Sequence, residues 1–180
     1  MITVISGTNR PNSLTAAFSR QVVTELKSQT DEEIQLIDLA ELPHDYFHSG
    51  MYDPEKTPTA FRALHEEKLL PAQKLVVLSP EYNGSFAGAI KVFFDAVSVH
   101  EYALNFKQKP ILLIGVSTGR AGNLRGLDHL SHILEHMGGY LIGGKLPISL
   151  AGALVNDDRE VVDSATKATI AKQITHLISI

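Results

Sequence analysis

Short apolar runs alternate along the chain with longer segments in which apolar residues recur every three or four positions. The runs are rich in Ile, Val and Leu, as expected of strands buried on both faces of a sheet, and they comprise residues 2–6, 34–39, 75–79, 111–117 and 140–146. The last run is the weakest as a strand because Gly143 and Gly144 interrupt it. The intervening segments predict five helices, over residues 14–26, 61–70, 87–99, 124–137 and 161–178.

This alternation predicts an α/β fold in three layers, with a five-stranded parallel sheet and helices on both of its faces. Five such units most often adopt the strand order 2-1-3-4-5, in which the order reverses between strands one and three. Only residues 44–57 and 150–158 break the alternation, and neither resembles a linker. We therefore expect one domain over residues 1–180.

Composition and charge narrow the class of protein. The 180 residues are 44% hydrophobic and 20% charged, which is typical of a soluble globular protein. A net charge of −4 without any basic run argues against nucleic-acid binding. No apolar stretch approaches the roughly 18–20 residues of a membrane span, and no leader pattern begins the chain, so we expect a cytoplasmic protein without a membrane partner. The absence of cysteine excludes thiol redox chemistry and disulfides.

The predicted topology brings three unusual turns together. Ligands of open α/β sheets bind beyond the carboxyl ends of the strands, where the strand order reverses. The turns after strands 1, 3 and 4 meet at that point, and they read SGTNRPNSLT (6–15), SPEYNGSFAGA (79–89) and STGRAGNLRG (117–126). This agreement between topology and composition predicts a ligand site at that edge of the sheet.

The first turn is rich in hydroxyl groups and carries one fixed positive charge, Arg10. It has neither the lysine of a Walker loop nor the three glycines of a dinucleotide fingerprint. Hydroxyls, an arginine and the free N–H groups of a helix start suit a terminal monophosphate. The plainer alternative is a helix capped by Asn12 or Ser13 beside a surface arginine.

The second and third turns suit a planar ring. Asn83-Gly84 favours a tight turn with positive φ, which would direct backbone N–H groups at a heteroaromatic edge beside Tyr82. The glycines of the third turn permit close approach to a ligand, and Arg120 or Arg125 could meet negative charge. The alternatives are a rigid connection in which Tyr82 simply packs, and a flexible helix entry with solvated arginines.

These three segments resemble the signature blocks of the NAD(P)H-dependent FMN reductases, a flavodoxin-like family of quinone, azo and chromate reductases. The resemblance is most specific in the PEYN block, which Lys91 and Asp95 follow. It implies a flavodoxin-like fold, bound FMN, NADPH or NADH as electron donor, and a homodimer or homotetramer with the flavin near the subunit boundary. By position it implies that the phosphate is held by Thr8, Arg10, Ser13, Leu14 and Thr15, that the ring is lined by Pro80, Glu81, Tyr82 and Asn83, and that the site is closed by Ser117, Gly119 and Arg120.

The family implied by these blocks transfers hydride from NAD(P)H to FMN and on to a small acceptor such as a quinone, an azo compound or free flavin. Hydride transfer between two cofactors needs no side-chain nucleophile, so we assign no catalytic residue. The alternative is a flavodoxin-type carrier that binds FMN without oxidising NAD(P)H itself, although such carriers are generally more acidic. A flavin-free binding module of the same fold is a third alternative.

The remaining features predict self-association and no metal site. Phe86, Ala89, Ile90, Phe93 and Phe94 make the third helix apolar on more than one side, which favours burial against a second copy. A histidine triplet in the fourth helix falls opposite its leucine stripe and lacks the glutamate of an HExxH pattern, so we expect it to face solvent or another subunit; its members are His129, His132 and His136. Residues 44–57 and His100 depart from the family pattern, which leaves the substrate-facing side without a template.

Overall fold

The computed structural model describes all 180 residues. Its strands form one parallel sheet in the order β2-β1-β3-β4-β5, and β6 also pairs with β4. The strands are β1 Ile2–Ser6, β2 Ile34–Asp38, β3 Lys74–Pro80, β4 Pro110–Val116, β5 Tyr140–Leu141 and β6 Leu146–Ile148. The helices are α1 Leu14–Gln29, α2 Thr59–Leu64, α3 Gly88–Val97, α4 Tyr102–Phe106, α5 Leu124–His136 and α6 Ser164–Ser179. The predicted order 2-1-3-4-5 is confirmed.

Two hydrophobic cores lie on opposite faces of the sheet. Alternate residues of β3 divide between them: Val77 packs with α3 and α5, whereas Val76 packs with α1 and α6. All residues of β1 are buried, which explains why Ile2, Val4 and Ile5 do not alternate with exposed polar residues. The structure thus has the predicted three layers, with α1 and α6 on one face and α2, α3 and α5 on the other.

The fifth strand is divided into two short pieces. Gly143 and Gly144 have φ values of 66° and 78°, outside the β region, and they separate β5 from β6. Both pieces pair with β4, β5 at the start of that strand and β6 at its end. The glycine pair therefore interrupts the strand without removing it from the sheet.

The second helix departs from the regular helix predicted over residues 61–70. After α2 the chain continues as a π-helix, His65–Leu69, in which the N–H of Leu70 donates to the carbonyl of His65 at 3.0 Å. His65 is 1% exposed, and its Nε2 lies 2.5 Å from Oδ1 of Asn105 in α4, a helix that the sequence pattern did not predict. This buried polar contact fastens the π-helix to α4.

Residues 44–57 form two 3₁₀ turns, His44–Tyr46 and Pro54–Lys56. The first turn is anchored in the core, since Tyr46 is 5% exposed and stacks on Phe61 at a ring-centroid distance of 4.6 Å. Phe93 and Phe94 of α3 are both buried within the same core. Most of the apolar surface of α3, one of the two grounds for expecting self-association, is thus buried within one chain.

None of the helices combines the length and the hydropathy that crossing a membrane requires.

Candidate functional site

The loops after β1, β3 and β4 meet at the carboxyl edge of the sheet and enclose a cavity of about 410 Å³. This volume lies in the usual range of small-molecule sites. Eight of the predicted site residues line the cavity: Arg10, Ser13, Leu14, Thr15, Pro80, Glu81, Tyr82 and Ser117. The other four, Thr8, Asn83, Gly119 and Arg120, lie outside its lining. We call this space the loop cavity.

The first loop combines a helix cap with groups that have no protein partner. Ser13 is the N-cap of α1, and its Oγ accepts a hydrogen bond from the N–H of Ala16 at 3.0 Å. Thr15 is 1% exposed, yet no protein group hydrogen-bonds its hydroxyl. Arg10 is exposed at the cavity wall and forms no ion pair. The loop therefore caps α1, as the plainer interpretation expects, and also offers free donors to an anion.

Thr8 joins the first loop to the second. Its side chain is fully buried, and its Oγ1 lies 2.8 Å from the hydroxyl of Tyr82. The same Oγ1 accepts a hydrogen bond from the N–H of Arg10 at 3.2 Å. Thr8 thus fixes the positions of a cavity-lining arginine and a cavity-lining tyrosine, although it does not line the cavity itself.

The second loop has the tight turn that Asn83-Gly84 predicts. The two residues have φ values of 52° and 74°, and Tyr82 and Ser85 exchange backbone hydrogen bonds of 2.9 and 3.0 Å across them. This is the hairpin geometry that Asn-Gly favours. The N–H of Glu81 donates to the carbonyl of Val116 at 3.2 Å. The N–H groups of Asn83 and Gly84 are among the backbone donors of this loop that have no acceptor in the protein.

The third loop is tied to the second through Glu81. The hydroxyl of Ser117 donates to Oε2 of Glu81 at 2.8 Å and accepts from the N–H of Gly119 at 3.0 Å. Arg120 is exposed, and its carbonyl accepts from the hydroxyl of Ser149 at 2.6 Å. Ser117 therefore supports the carboxylate of Glu81 from the neighbouring strand end, while Gly119 and Arg120 support the loop around it.

Sequence reasoning missed several residues at this edge. Asn123 is 1% exposed, and its amide nitrogen donates to the carbonyls of Ser79 and Pro80 at 3.0 and 2.8 Å, which anchors the end of β3 to the start of α5. Its positive φ of 65° could have been predicted from the sequence, since asparagine adopts the left-handed region more readily than most residues. The other residues of the cavity lining not predicted as site residues are Asn12, Val116, Thr118, Gly152 and Arg159.

A second, larger cavity of about 630 Å³ lies between α3 and α5, and we call it the α3–α5 groove. Tyr52 and Tyr102 line it and are 68% and 46% exposed. His132 and His136 line it too, whereas His129 lies apart, with its Nδ1 2.9 Å from the hydroxyl of Ser85. The three histidines occupy the exposed face of α5, as its leucine stripe predicted.

The loop cavity fits a ligand with a phosphate group and a planar ring. Arg10 and Arg159 on its wall have no carboxylate partner, and the unpartnered hydroxyl of Thr15 lies with them at the start of α1. A helix start together with a guanidinium is a favourable environment for a phosphate. Tyr82 provides an aromatic surface in the lining, and the Asn83-Gly84 turn that follows it, outside the lining, has free N–H groups. These residues fit FMN, the cofactor that the sequence resemblance implies.

Comparison with known proteins supports that fit. Residues 1–152 match the NADPH-dependent FMN reductase family. An FMN-dependent NADPH-azoreductase from Staphylococcus aureus is 31% identical over 150 residues, which cover 82% of this chain and 74% of that protein.

Two solved flavoenzymes share the fold. The NAD(P)H:(acceptor) oxidoreductase FerB from Paracoccus denitrificans superposes with a TM-score of 0.78 at 23% identity, covering 99% of this chain and 94% of that one. An NADH:FMN oxidoreductase gives a TM-score of 0.75 at 19% identity, with 99% and 89% covered. The chain therefore belongs to the NADPH-dependent FMN reductase family, and it is an oxidoreductase that uses FMN with NADPH or NADH as electron donor.

Proposed function

We propose that the chain binds FMN in the loop cavity, oxidises NAD(P)H there and reduces a small acceptor such as a quinone, an azo compound or free flavin. When bound, FMN supplies the chemistry, since it takes up a hydride from the nicotinamide and releases two electrons to the acceptor. The observation that carries this proposal is the loop cavity itself, in which unpaired arginines and an aromatic loop lie at the carboxyl edge of the sheet.

In this proposal the first loop holds the phosphate. Arg10 supplies the positive charge, Thr15 a free hydroxyl, and Leu14 with Thr15 the backbone N–H groups at the start of α1. Ser13 fixes the helix start by accepting from Ala16. Because Thr8 and Ser13 hold the backbone of this loop before the ligand arrives, little backbone entropy is lost on binding.

The second and third loops hold the ring. Pro80 and Tyr82 provide its apolar wall, and the N–H groups of Asn83 and Gly84 are free to donate to its polar edge. Glu81 is held by Ser117 and has no neighbouring lysine or arginine among its hydrogen-bond partners. We assign no side chain as a general acid or base, because the protein's part is to bind, orient and exclude water around the reacting atoms.

The alternative, a flavodoxin-type carrier, makes a different prediction for the purified protein. Flavin-loaded protein is mixed with NADPH without oxygen, and the loss of flavin absorbance is followed against free FMN at the same concentration. A reductase bleaches rapidly and on its own, whereas a carrier needs a partner protein. Bleaching no faster than that of free FMN would refute the proposed function, and comparing kcat/KM for a quinone, an azo dye and riboflavin identifies the preferred acceptor.

We also propose that the protein acts in the cytoplasm.

We further propose that the protein forms a homodimer or homotetramer through the α3–α5 groove. The exposed rings of Tyr52 and Tyr102 support a second copy as the occupant of this groove, because large aromatic side chains are enriched in protein interfaces. Light scattering at micromolar concentration tests the assembly, and a monomer there would contradict it. Tyr102→Asp should dissociate the assembly without unfolding the chain, since the ring is 46% exposed.

A further inference from the structure

Arg159 reaches the loop cavity from a part of the chain beyond residues 1–152, the segment that matches the family. It lies in a hairpin closed by an antiparallel bridge between Val155 and Val161. The same arginine also lines a neighbouring cavity along α1, together with Arg20 and Lys167. Arg159 therefore lies between the loop cavity and the outer surface of α1.

The hairpin that presents Arg159 is held in place from several sides. Asn156 donates from its backbone N–H to the carbonyl of Glu160 at 2.9 Å, and its Oδ1 accepts from the N–H of Glu160 at 2.8 Å. Val161 is 3% exposed and packs in the core beneath α1 and α6. Arg20 of α1 donates to the carbonyl of Arg159 at 3.3 Å. The backbone of Arg159 is thus fixed relative to the helix that carries the first loop.

Arg159 adopts a backbone conformation that favours glycine. Its φ is 60°, and its N–H donates to the carbonyl of Asn156 at 3.0 Å, which closes the turn. A residue with a side chain is strained in this left-handed region, and glycine is the usual residue there. Strain of this kind, fixed by the surrounding structure, is concentrated at functional sites. The strain points to a use for the guanidinium that glycine could not serve.

The charge of the loop cavity indicates what the guanidinium of Arg159 is for. Arg10 and Arg159 both line it, and neither forms an ion pair with any carboxylate. Both residues are exposed, and two unpaired guanidinium groups lining one cavity give it a positive charge that favours an anion. The unpartnered hydroxyl of Thr15, 1% exposed, lies on the same wall. A doubly charged phosphate satisfies all three groups.

We propose that Arg159 is a second phosphate-binding residue for FMN, opposed to Arg10 and supplied by the hairpin that follows the family-matched segment. This proposal rests on the proposed function, in which the loop cavity holds FMN. It assigns the C-terminal hairpin a part in cofactor binding, because its arginine lines the same cavity as Arg10 and Thr15.

The test uses Arg159→Gly, which removes the guanidinium and the strain together. FMN and riboflavin are titrated into apoprotein, and the free energy of unfolding of each apoprotein is measured in urea. FMN affinity should fall by about 10- to 150-fold, the range for a lost charge-assisted hydrogen bond. Riboflavin, which lacks the phosphate, should bind as before, and the apoprotein should be no less stable than wild type. Arg159→Lys should lose less than the glycine variant, because the charge remains.

Lys167→Ala is the matched control, since it removes one positive charge from the neighbouring cavity but not from the loop cavity. An equal loss of FMN affinity in this control, or an unchanged FMN-to-riboflavin affinity ratio in Arg159→Gly, would overturn the proposal. If wild-type protein itself fails to prefer FMN over riboflavin, the proposed function fails instead. A preference that Arg10→Ala removes and Arg159→Gly leaves intact refutes only the role of Arg159.

Discussion

The hydroxyls of Thr8 and Tyr82 lie 2.8 Å apart, although 74 residues separate them along the chain. This contact joins the loop after β1 to the loop after β3, the two neighbouring strands at which the strand order reverses. The two loops that we assign to opposite ends of FMN are thus coupled directly. The coupling makes the geometry of the loop cavity a property of the fold that exists before any ligand binds.

We expect Tyr82→Phe to lower the free energy of unfolding by about 0.5–1.5 kcal/mol, the usual value of one neutral hydrogen bond. Thr8→Val should cost more, because Thr8 also accepts from the N–H of Arg10. Urea unfolding of the apoprotein measures both. Tyr140→Phe serves as the control, since the Tyr140 ring is 58% exposed and lines neither cavity. Equal effects of Tyr82→Phe and Tyr140→Phe would contradict the coupling.

Arg10→Ala should weaken FMN binding by about 10- to 150-fold, the loss expected for a charge-assisted hydrogen bond of about 1.5–3 kcal/mol. Riboflavin affinity should hardly change. Ser13→Ala should cost less, about 0.5–1.5 kcal/mol, and should also destabilise the start of α1 because Ser13 is its N-cap. Titration of both flavins into apoprotein decides the point, and a constant FMN-to-riboflavin ratio would remove Arg10 from the phosphate site.

Glu81→Gln should retain FMN and a substantial rate of flavin reduction by NADPH. The amide oxygen of glutamine can still accept from the hydroxyl of Ser117, so the loop should keep its position. Loss of a general acid or base typically slows a reaction by about 10²–10⁴-fold. Stopped-flow measurement of the reductive half-reaction is the readout, and a loss of that size with FMN still bound would make Glu81 catalytic.

His65 should make the protein less stable in mild acid. Burial lowers the pKa of His65, and its Nδ1 is buried without an acceptor for the proton that it would gain. The unfolded chain therefore binds more protons, and the free energy of unfolding falls as the pH drops below the unfolded value of about 6.5. His65→Gln should reduce this slope in urea titrations between pH 7 and 5. The exposed His44, changed to Gln, should leave it unaltered.

Lys109 should make the free energy of unfolding depend on pH in the alkaline range. Burial lowers its pKa to about 8, and its Nζ donates to the carbonyls of Leu69 and Leu70 at the end of the π-helix. An unfolded lysine titrates near 10.4, so the unfolded chain binds more protons between these values and stability rises with pH. Relative to Lys109→Met, the free energy of unfolding of wild type should increase from pH 7.5 to 9.5. A constant difference across that range would refute this assignment.

The sheet and the turn chemistry could be predicted because their causes are local. β1 is buried along its whole length, and Ile2, Val4 and Ile5 give it the apolar signal of a central parallel strand. Asn83-Gly84 favours its turn regardless of what surrounds it. The cap of α1 by Ser13 is equally local. Each of these patterns has its physical reason within a few residues of itself.

The π-helix and the place of Arg159 could not be predicted, because each depends on distant contacts. The apolar spacing of residues 61–70 is that of an ordinary helix, and the departure from it coincides with the contact between His65 and Asn105, 40 residues apart. Arg159 lines the loop cavity in a hairpin that is held by the burial of Val161 and by the hydrogen bond from Arg20. Neither contact leaves a periodic pattern in the sequence.

The divided fifth strand also bears on aggregation. An uncovered strand at the margin of a sheet presents a row of unpaired N–H and C=O groups, on which a second polypeptide can add a strand. Here that row is two residues long in β5, broken at the glycine pair, and three residues long in β6, where Pro147 has no N–H to offer. The same glycines that weaken the strand pattern therefore leave this margin of the sheet too short and irregular to template an intermolecular sheet.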